Sequence, residues 1–204
     1  MTYQELINNI RDLGFSDDAE MEEFGELVYN SINRAISEIN LLVTPITETY
    51  EFDIDDADTG YLYIRMPDVN ERFLDFADTP VVYEAQGKEQ YTKFNDFEIE
   101  TGDTMVINQD DYKGSFRVFY RADHEPIPYD AEEELPTSEQ LAQELPLPRR
   151  VHFLVPMLAG YYVWLEDEPT KAAQYYNLYE QGVSTVSASE ATKKFRVRVL
   201  PGGM

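Results

Sequence analysis

The sequence predicts an α+β fold: a four-helix core made of two helical hairpins, with an inserted antiparallel β lobe and an extended C-terminal tail. Apolar residues recur every three or four positions in residues 1–45 and again in residues 148–187, which indicates amphipathic helices. Residues 46–122 instead alternate apolar and polar side chains between turn-forming residues. Residues 123–147 form an acidic, proline-rich connector, and residues 188–204 form a basic tail with a two-residue period.

Two helices are predicted in the first segment. Thr2 and Glu5 fit a capping box, and Gly14 is expected to end the first helix in a left-handed conformation. The second helix is expected to begin at Ser16 and to end before Pro45. Its apolar stripe is the longest in the chain and consists of Met21, Phe24, Val28, Ile32, Ala35, Ile39 and Leu42.

The β lobe is predicted to contain five to seven strands in one antiparallel sheet or a small barrel. Residues 115–121 alternate cleanly, as a strand with one buried face does. Thr101-Gly102-Asp103 separates two strand-like runs, which indicates a hairpin. The connector that follows is a long loop, and loops of that length are frequently functional.

Two further helices are predicted after the connector. The third begins near Pro148, a favourable first-turn residue, and carries apolar side chains around much of its circumference. The fourth restarts at Pro169, and Gly182 is expected to weaken its end. A short break between them makes an antiparallel hairpin that packs on the first pair of helices.

Charge and composition exclude several classes of protein. The chain has 40 acidic and 16 basic residues and a net charge of −24, so its surface repels phosphate backbones and anionic lipids. It contains no cysteine, which excludes disulfide frameworks and thiol catalysis. No apolar stretch approaches the ~20 residues of a membrane span. Residues 1–6 lack the features of a signal peptide, so synthesis in the cytoplasm is expected.

No pattern in the chain predicts an enzyme, a cofactor or a metal site. His124 and His152 are the only histidines, and neither has the neighbours of a catalytic or zinc-binding motif. Glycine-rich phosphate loops are absent from the sequence. The acidic run at residues 53–58 does not have the spacing of an EF-hand loop, and a surface turn is the favoured interpretation over a weak metal site.

The C-terminal tail is the first candidate partner-binding segment. It holds four of the 16 basic residues, and an extended strand with one apolar face suits addition to the edge of a sheet. The alternative is a tail folded back onto its own acidic sheet, or one that is disordered in isolation. The candidate residues are Lys193, Lys194, Phe195, Arg196, Val197, Arg198, Val199 and Leu200.

A second candidate interface lies on the third and fourth helices. Arg149 and Arg150 stand at a helix start, where acids are preferred, which suggests an acidic or phosphate partner. Internal pairing with Glu134 or Glu144 is the favoured alternative. The 15 tyrosines of the chain suit interfaces because the ring packs while the hydroxyl stays hydrated. The candidates on the fourth helix are Tyr175, Tyr176 and Tyr179.

Three segments of the predicted helices have a distinctive sequence. One is Asn33-Arg34-Ala35-Ile36-Ser37-Glu38-Ile39-Asn40. Another is Phe153-Leu154-Val155-Pro156-Met157-Leu158-Ala159-Gly160-Tyr161-Tyr162. It continues in Glu168-Pro169-Thr170-Lys171-Ala172-Ala173-Gln174-Tyr175-Tyr176-Asn177-Leu178-Tyr179. These segments resemble the head-to-tail connector (adaptor) proteins of tailed bacteriophages. The resemblance covers the helices and the tail, and the β insertion is larger than in minimal members of the family.

The resemblance implies a structural virion protein at the head–tail junction. Such proteins form a ring, commonly of twelve copies, below the portal protein, extend the DNA channel and dock the next neck or tail protein. Their C-terminal tails reach into the portal, and the matching positions here are residues 193–200. Genomic DNA would be only a non-specific passenger, and no membrane partner is implied. An acidic channel wall is compatible with this role because it does not hold DNA by counterion release.

Two other functions remain compatible with the sequence. The net charge suits an acidic DNA mimic that inhibits a nucleic-acid-binding protein, although the basic tail does not. Alternatively, the β lobe is a carbohydrate- or protein-binding module. Its aromatic platform would then consist of Tyr61, Tyr63 and Tyr91, for which cross-strand packing is the simpler explanation.

Overall fold

The chain divides into two compact units. The structure is a computed structural model that describes residues 1–15, 24–85, 90–129 and 136–194. The helical unit is formed by Met1–Thr44 together with Pro126–Met204, and the β unit is formed by Pro45–Glu125. The range predicted for the β lobe, 46–122, lies within the β unit.

Six α-helices and seven strands lie within the described residues. The helices are α1 (Tyr3–Gly14), α2 (Gly25–Leu42), α3 (Met66–Val69), α4 (Ser138–Ala142), α5 (Leu154–Trp164) and α6 (Pro169–Lys194), with a 3-10 turn at Arg149–Val151. The strands are β1 (Thr47–Ile54), β2 (Tyr61–Arg65), β3 (Phe73–Ala85), β4 (Thr92–Lys93), β5 (Glu98–Glu100), β6 (Thr104–Asn108) and β7 (Gly114–Ala122).

The predicted four-helix core is therefore wrong. The described residues combine six helices with two antiparallel sheets, so the fold is a mixture of helices and strands and not a four-helix core that carries a smaller lobe. Apolar periodicity identifies long helices, but short helices depend on local caps. Thr137 caps α4 inside the predicted connector, where its side chain accepts a hydrogen bond from the Gln140 N–H. The strands also bury an apolar core of their own.

The N-terminal helix confirms one predicted cap and corrects another. The Thr2 hydroxyl accepts the Glu5 N–H at 3.2 Å and the Thr2 N–H donates to the Glu5 carboxylate at 2.9 Å, so the capping box is confirmed. Gly14 does not adopt a left-handed conformation. Glycine is required there for packing, because a Cβ at Gly14 would lie 2.6 Å from Nε1 of Trp164. The start of the second helix predicted at Ser16 lies outside the described residues.

The structure also differs from the predicted extended tail. Helix α6 continues to Lys194, so residues 188–194 are helical. Alanine and glutamate in this stretch favour helix, and the two-residue period begins only with the basic residues that follow. Residues 195–200, which carry most of the alternating pattern, lie outside the described residues.

Close packing joins α5 to α6. Eight residues of α5 are buried, in agreement with the apolar surface predicted around most of this helix. A Cβ at Gly160 would approach the Tyr175 ring to 3.3 Å. Gly182 lies inside α6 rather than at a weakened end, and a Cβ there would lie 2.4 Å from Cδ2 of Leu154.

Replacing Gly182 with leucine should lower the free energy of unfolding by about 2 kcal/mol. Leucine favours a helix by about 1 kcal/mol over glycine, but overpacking costs about 3 kcal/mol, the upper end of the usual range, because the added Cβ would lie 2.4 Å from the fully buried Leu154. Urea denaturation followed by helical circular dichroism measures the change. Ser184→Leu, at an exposed position of the same helix, is the matched control and should change stability by less than about 0.5 kcal/mol. A Gly182→Leu variant as stable as the parent would contradict the proposed packing.

The described part of the β unit contains two antiparallel sheets rather than the single sheet or small barrel predicted. One has the strand order β1-β7-β3-β4 and the other β2-β6-β5. The hairpin predicted at Thr101–Asp103 is confirmed, because it joins β5 to β6. Thr101 and Gly102 there have φ angles of 53° and 84°, as a tight hairpin turn requires.

Aromatic rings fill the centre of the β unit. The fully buried Phe116 of β7 stacks on Phe52 at 5.1 Å and on Tyr83 at 4.6 Å, and meets Phe94 edge-on at 5.2 Å. The remaining buried members of this core are Ile54, Ile64, Met66, Val81, Met105, Ile107, Val118, Tyr120 and Ala122. The two sheets therefore share one aromatic and aliphatic core.

Candidate functional site

The predicted interface tyrosines of α6 occupy two kinds of position. Tyr175 and Tyr179 are only 8% and 5% exposed and belong to the helical core. Tyr176 is 37% exposed, and its ring lies 5.0 Å from that of Tyr161. Among these three, Tyr176 therefore presents the most surface to a partner.

A cluster of polar side chains joins α2 to α5. The Arg34 guanidinium lies 4.0 Å above the centre of the Tyr162 ring, and the Tyr162 hydroxyl donates a short hydrogen bond to the Glu38 carboxylate. Burial and this hydrogen bond raise the pKa of Tyr162 to about 12. Burial, with the Glu38 charge nearby, also raises the pKa of Tyr179 to about 12. Both phenols therefore remain protonated hydrogen-bond donors at neutral pH.

Sequence reasoning did not single out this cluster. The signal was present, because Arg34 and Glu38 are four residues apart and so lie on one face of a helix. Their common partner, Tyr162, is 124 positions from Glu38 in the sequence, and nothing in the chain's periodicity joins such distant residues.

The two arginines predicted at a helix start lie in the 3-10 turn before α5. The Arg149 guanidinium is 2.6 Å from the Glu144 carboxylate, and this contact lowers the pKa of Glu144. Arg150 donates to the Thr44 hydroxyl at 3.1 Å. Of the two internal partners considered, Glu144 pairs with Arg149, and Glu134 lies outside the described residues. The Arg149 side chain is still 78% exposed.

The basic tail begins at the end of α6. Lys193 and Lys194 are the last residues of this helix. The other predicted partner-binding residues lie outside the described part of the chain. They are Phe195, Arg196, Val197, Arg198, Val199 and Leu200.

Large apolar side chains also reach the surface of the helical unit. Leu41 and Leu42, at the end of α2, are 65% and 73% exposed. The others are Leu27, Phe153, Leu165 and Leu178. Single exposed apolar side chains are normal on protein surfaces, and a contiguous patch of them marks an interaction site.

Strand β1 forms one border of the four-stranded sheet. It pairs with β7 without interruption from Thr47↔Arg121 to Ile54↔Gly114. The Ala122 N–H donates to the Ile46 carbonyl at 3.2 Å, which makes that pair a hydrogen-bonded one. Because such pairs alternate along an antiparallel ladder, every second residue of β1 turns its N–H and C=O away from β7. These residues, here named the β1 edge, are Thr47, Thr49, Glu51 and Asp53.

The side chains of the β1 edge lie on one face of strand β1, which is acidic, and the opposite face of the strand carries aromatic rings. Glu51 lies 2.7 Å from Nε of Arg117, and Asp53 accepts a hydrogen bond from the Ser115 hydroxyl. On the opposite face, Tyr50 and Phe52 are half-buried against the aromatic core. No described strand pairs with β1 on the side of the β1 edge.

The acidic run at residues 53–58 leads into a turn. The Asp55 N–H donates to the Asp58 carboxylate at 2.7 Å. The Lys113 ammonium donates to the carbonyl of Asp55 at 2.8 Å and to that of Asp58. Across the described residues, no three His, Cys, Asp or Glu side chains are grouped as a metal site.

Both histidines are buried. Burial lowers the pKa of His124, although its Nδ1 lies 3.1 Å from the Asp123 carboxylate. His152 follows the 3-10 turn, and its Nε2 lies 2.6 Å from the Leu147 carbonyl. Each buried ring therefore has a polar partner within the protein, which is typical of a structural histidine.

The aromatic residues of the proposed binding module are divided between the two sheets. Tyr61 and Tyr63 lie on β2 and are 65% and 59% exposed. Tyr91 lies instead beside the other sheet, where the Arg117 guanidinium is 4.2 Å from its ring centre. The three rings therefore belong to different sheet surfaces.

No protein-family model matches the chain, and no curated protein has a matching sequence. Helices long and apolar enough to cross a membrane do not occur in the part of the chain that the structure describes.

Proposed function

We propose that this chain is a structural protein of a tailed-phage virion, an adaptor that forms a ring below the portal. The ring extends the DNA channel and docks the next neck or tail protein. One observation carries the proposal: the segments that resemble connector proteins, although distant in sequence, pack together in the helical unit. Arg34 and Glu38 of α2 contact Tyr162 of α5, and Gly160 of α5 lies against Tyr175 of α6.

The charge of the chain supports a channel role. A net charge of −24 on each copy gives an assembled ring a strongly negative wall. Such a wall releases no counterions from DNA and so does not bind it tightly. A genome passes such a surface without being retained.

The surface of the helical unit supports association. Leu178 of α6 is 46% exposed, and Leu42 of α2 is 73% exposed. Apolar side chains and tyrosines such as Tyr176 are enriched at the centres of protein interfaces. Full burial of an exposed leucine contributes about 1.5–3 kcal/mol, so completing the burial of Leu178, which is about half-buried already, contributes about 1 kcal/mol.

The mass of the particles formed with a portal protein tests the proposal. Purified full-length protein, alone and mixed with a candidate portal, is passed through size exclusion and measured by light scattering. We expect a portal complex that gains the mass of a ring, commonly twelve copies. A protein that stays monomeric and does not join the portal would contradict the proposal. Salt-sensitive binding to a basic nucleic-acid-binding protein would instead support the DNA-mimic alternative.

A pair of matched variants adds a surface-specific control. Leu178→Glu places a charge on α6, within a segment that resembles connectors, and should weaken portal-dependent assembly about tenfold. Leu74→Glu makes the same change on β3, where the leucine is 41% exposed, and should leave assembly unchanged. Equal assembly by the two variants would show that the surface of α6 around Leu178 is not part of the interface.

A further inference from the structure

We propose that the β1 edge of one copy receives residues 195–200 of a second copy as an added strand of the four-stranded sheet. This inference rests on the proposed function, because it supplies the contact by which copies join. The strand that binds the edge is the C-terminal segment of another copy of this chain.

The β1 edge has the geometry of a strand acceptor. Thr47, Thr49, Glu51 and Asp53 turn their N–H and C=O groups away from β7, over a strand of eight residues. The strand contains no proline, no lysine and no bulge, which are three of the features that protect an edge, and its protecting charges, Glu48, Glu51 and Asp53, are all acidic and so repel another acidic strand but not a basic one. Six residues of an added strand would span about 20 Å and fit within its length.

The C-terminal segment has the complementary pattern. If Val197 lies opposite Phe52, Arg196 and Arg198 lie opposite Glu51 and Asp53. This holds in both the parallel and the antiparallel orientation of the added strand. Phe195, Val197 and Val199 then share the face of Tyr50 and Phe52, which are half-buried beside the open side of the sheet. The alternation of the segment thus matches both faces of strand β1 at once.

Charge favours pairing of the β1 edge with the C-terminal segment over pairing of two β1 edges with each other. Strand β1 carries three acids, Glu48, Glu51 and Asp53, and no basic residue. Pairing of β1 with β1 would place carboxylates beside carboxylates, which is unfavourable. The segment instead contributes Arg196 and Arg198. A contact between two different surfaces of the same chain also repeats from copy to copy, as a closed ring requires.

Cross-linking between single-cysteine variants tests the pairing directly. The natural chain has no cysteine, so a short bis-maleimide reacts only at introduced positions. Full-length Asp53→Cys and Arg198→Cys are mixed, with and without the portal. In either strand direction these positions are opposite or about 7–8 Å apart diagonally. We expect a cross-linked dimer in the mixture and little with either variant alone.

Matched variants separate strand addition from chance proximity. Thr49→Pro, combined with Asp53→Cys, removes an outward N–H without touching the β7 ladder and should reduce cross-linking about tenfold. Tyr63→Pro is the control on the open edge of the other sheet and should have no effect. The Gly60 carbonyl accepts the Gln109 N–H there, so the alternate residue Tyr63 also points its N–H outward. Unchanged cross-linking in Thr49→Pro would overturn the proposal.

Exchanging the charges of two neighbouring residues of the paired strands provides a second test, which does not require Thr49→Pro to fold. Glu51→Lys in the Asp53→Cys chain should reduce cross-linking, and Arg196→Glu in the Arg198→Cys chain should restore it. Glu51 and Arg196 lie opposite one another in the parallel orientation and are diagonal neighbours in the antiparallel one, so a failure to restore it would contradict this placement of the segment. So would a double variant, Asp53→Cys with Arg198→Cys, that cross-links within a monomer at high dilution, because the occupant would then be the chain's own tail.

The outcomes distinguish this inference from the proposed function. A full-length protein that joins the portal but gives no cross-link between residues 53 and 198 refutes the strand addition and leaves the adaptor role standing. A cross-linked dimer from a protein that ignores the portal supports strand addition and refutes the adaptor role.

Discussion

Replacing Phe116 with alanine should lower the free energy of unfolding of the β unit by about 3–5 kcal/mol. The ring is fully buried and touches Phe52, Tyr83 and Phe94 from three directions. Its removal loses the transfer free energy of the side chain and leaves a cavity that three rigid rings cannot close. Aromatic pairs add about 0.5–1.5 kcal/mol each beyond the area they bury.

Urea denaturation followed by near-ultraviolet circular dichroism measures this loss, because Tyr83, Tyr112 and Tyr120 belong to this core or pack against it and their signal depends on that packing. Tyr61→Ala, at a position 65% exposed, is the control and should change stability by less than about 0.5 kcal/mol. The single tryptophan, Trp164, lies in the helical unit and provides a separate fluorescence signal for that unit. A loss below about 1 kcal/mol would show that Phe116 is not the centre of the core.

Replacing Trp164 with alanine should have a similar effect on the helical unit, about 3–5 kcal/mol. The indole is 4% exposed and lies 5.1 Å from the Phe15 ring and 6.3 Å from the Phe24 ring, between centres. The Lys171 ammonium lies 3.2 Å from its ring centre and also donates to the Gly14 carbonyl at 2.9 Å. One substitution therefore removes the packing of α1 and a cation–π contact from α6.

Thermal unfolding followed by helical circular dichroism measures the Trp164→Ala variant, since the fluorescent group is lost. Leu165→Ala, at the adjacent position and 40% exposed, is the matched control, with an expected loss below about 1 kcal/mol. Trp164→Phe keeps an aromatic ring and should recover part of the stability. Equal melting of the alanine variant and the parent protein would place the indole outside the core.

Local signals in the sequence predicted local structure well. The capping box of Thr2 and the hairpin at Gly102 depend on residues within a few positions of each other, and both were confirmed. Gly14 and Gly182 were misinterpreted because their reason is a neighbour far along the chain. Each lies against a large side chain, and no local pattern reveals that contact. The extent of α6 was also underestimated, because residues 188–194 have helix-forming composition without an apolar stripe.

The candidate interface was predictable only in part. Tyr176 is substantially exposed, whereas its neighbours Tyr175 and Tyr179 are buried by their places on the helix. A run of tyrosines in sequence does not show which face of α6 meets α5. The β1 edge was equally hidden, because strand alternation identifies a buried face but gives no strand order within a sheet.

The insertion of the β unit sets the order in which the chain completes its cores during synthesis. The β unit is continuous and becomes complete once residue 125 has emerged from the ribosome. Helix α2 must wait for Tyr162, which lies 124 positions after Glu38. At about 5–20 residues per second, translation leaves this helix without its partner for about 6–25 s. During that interval the isoleucines of α2 that are 0% exposed in the folded protein, Ile32, Ile36 and Ile39, stay uncovered for chaperones to bind.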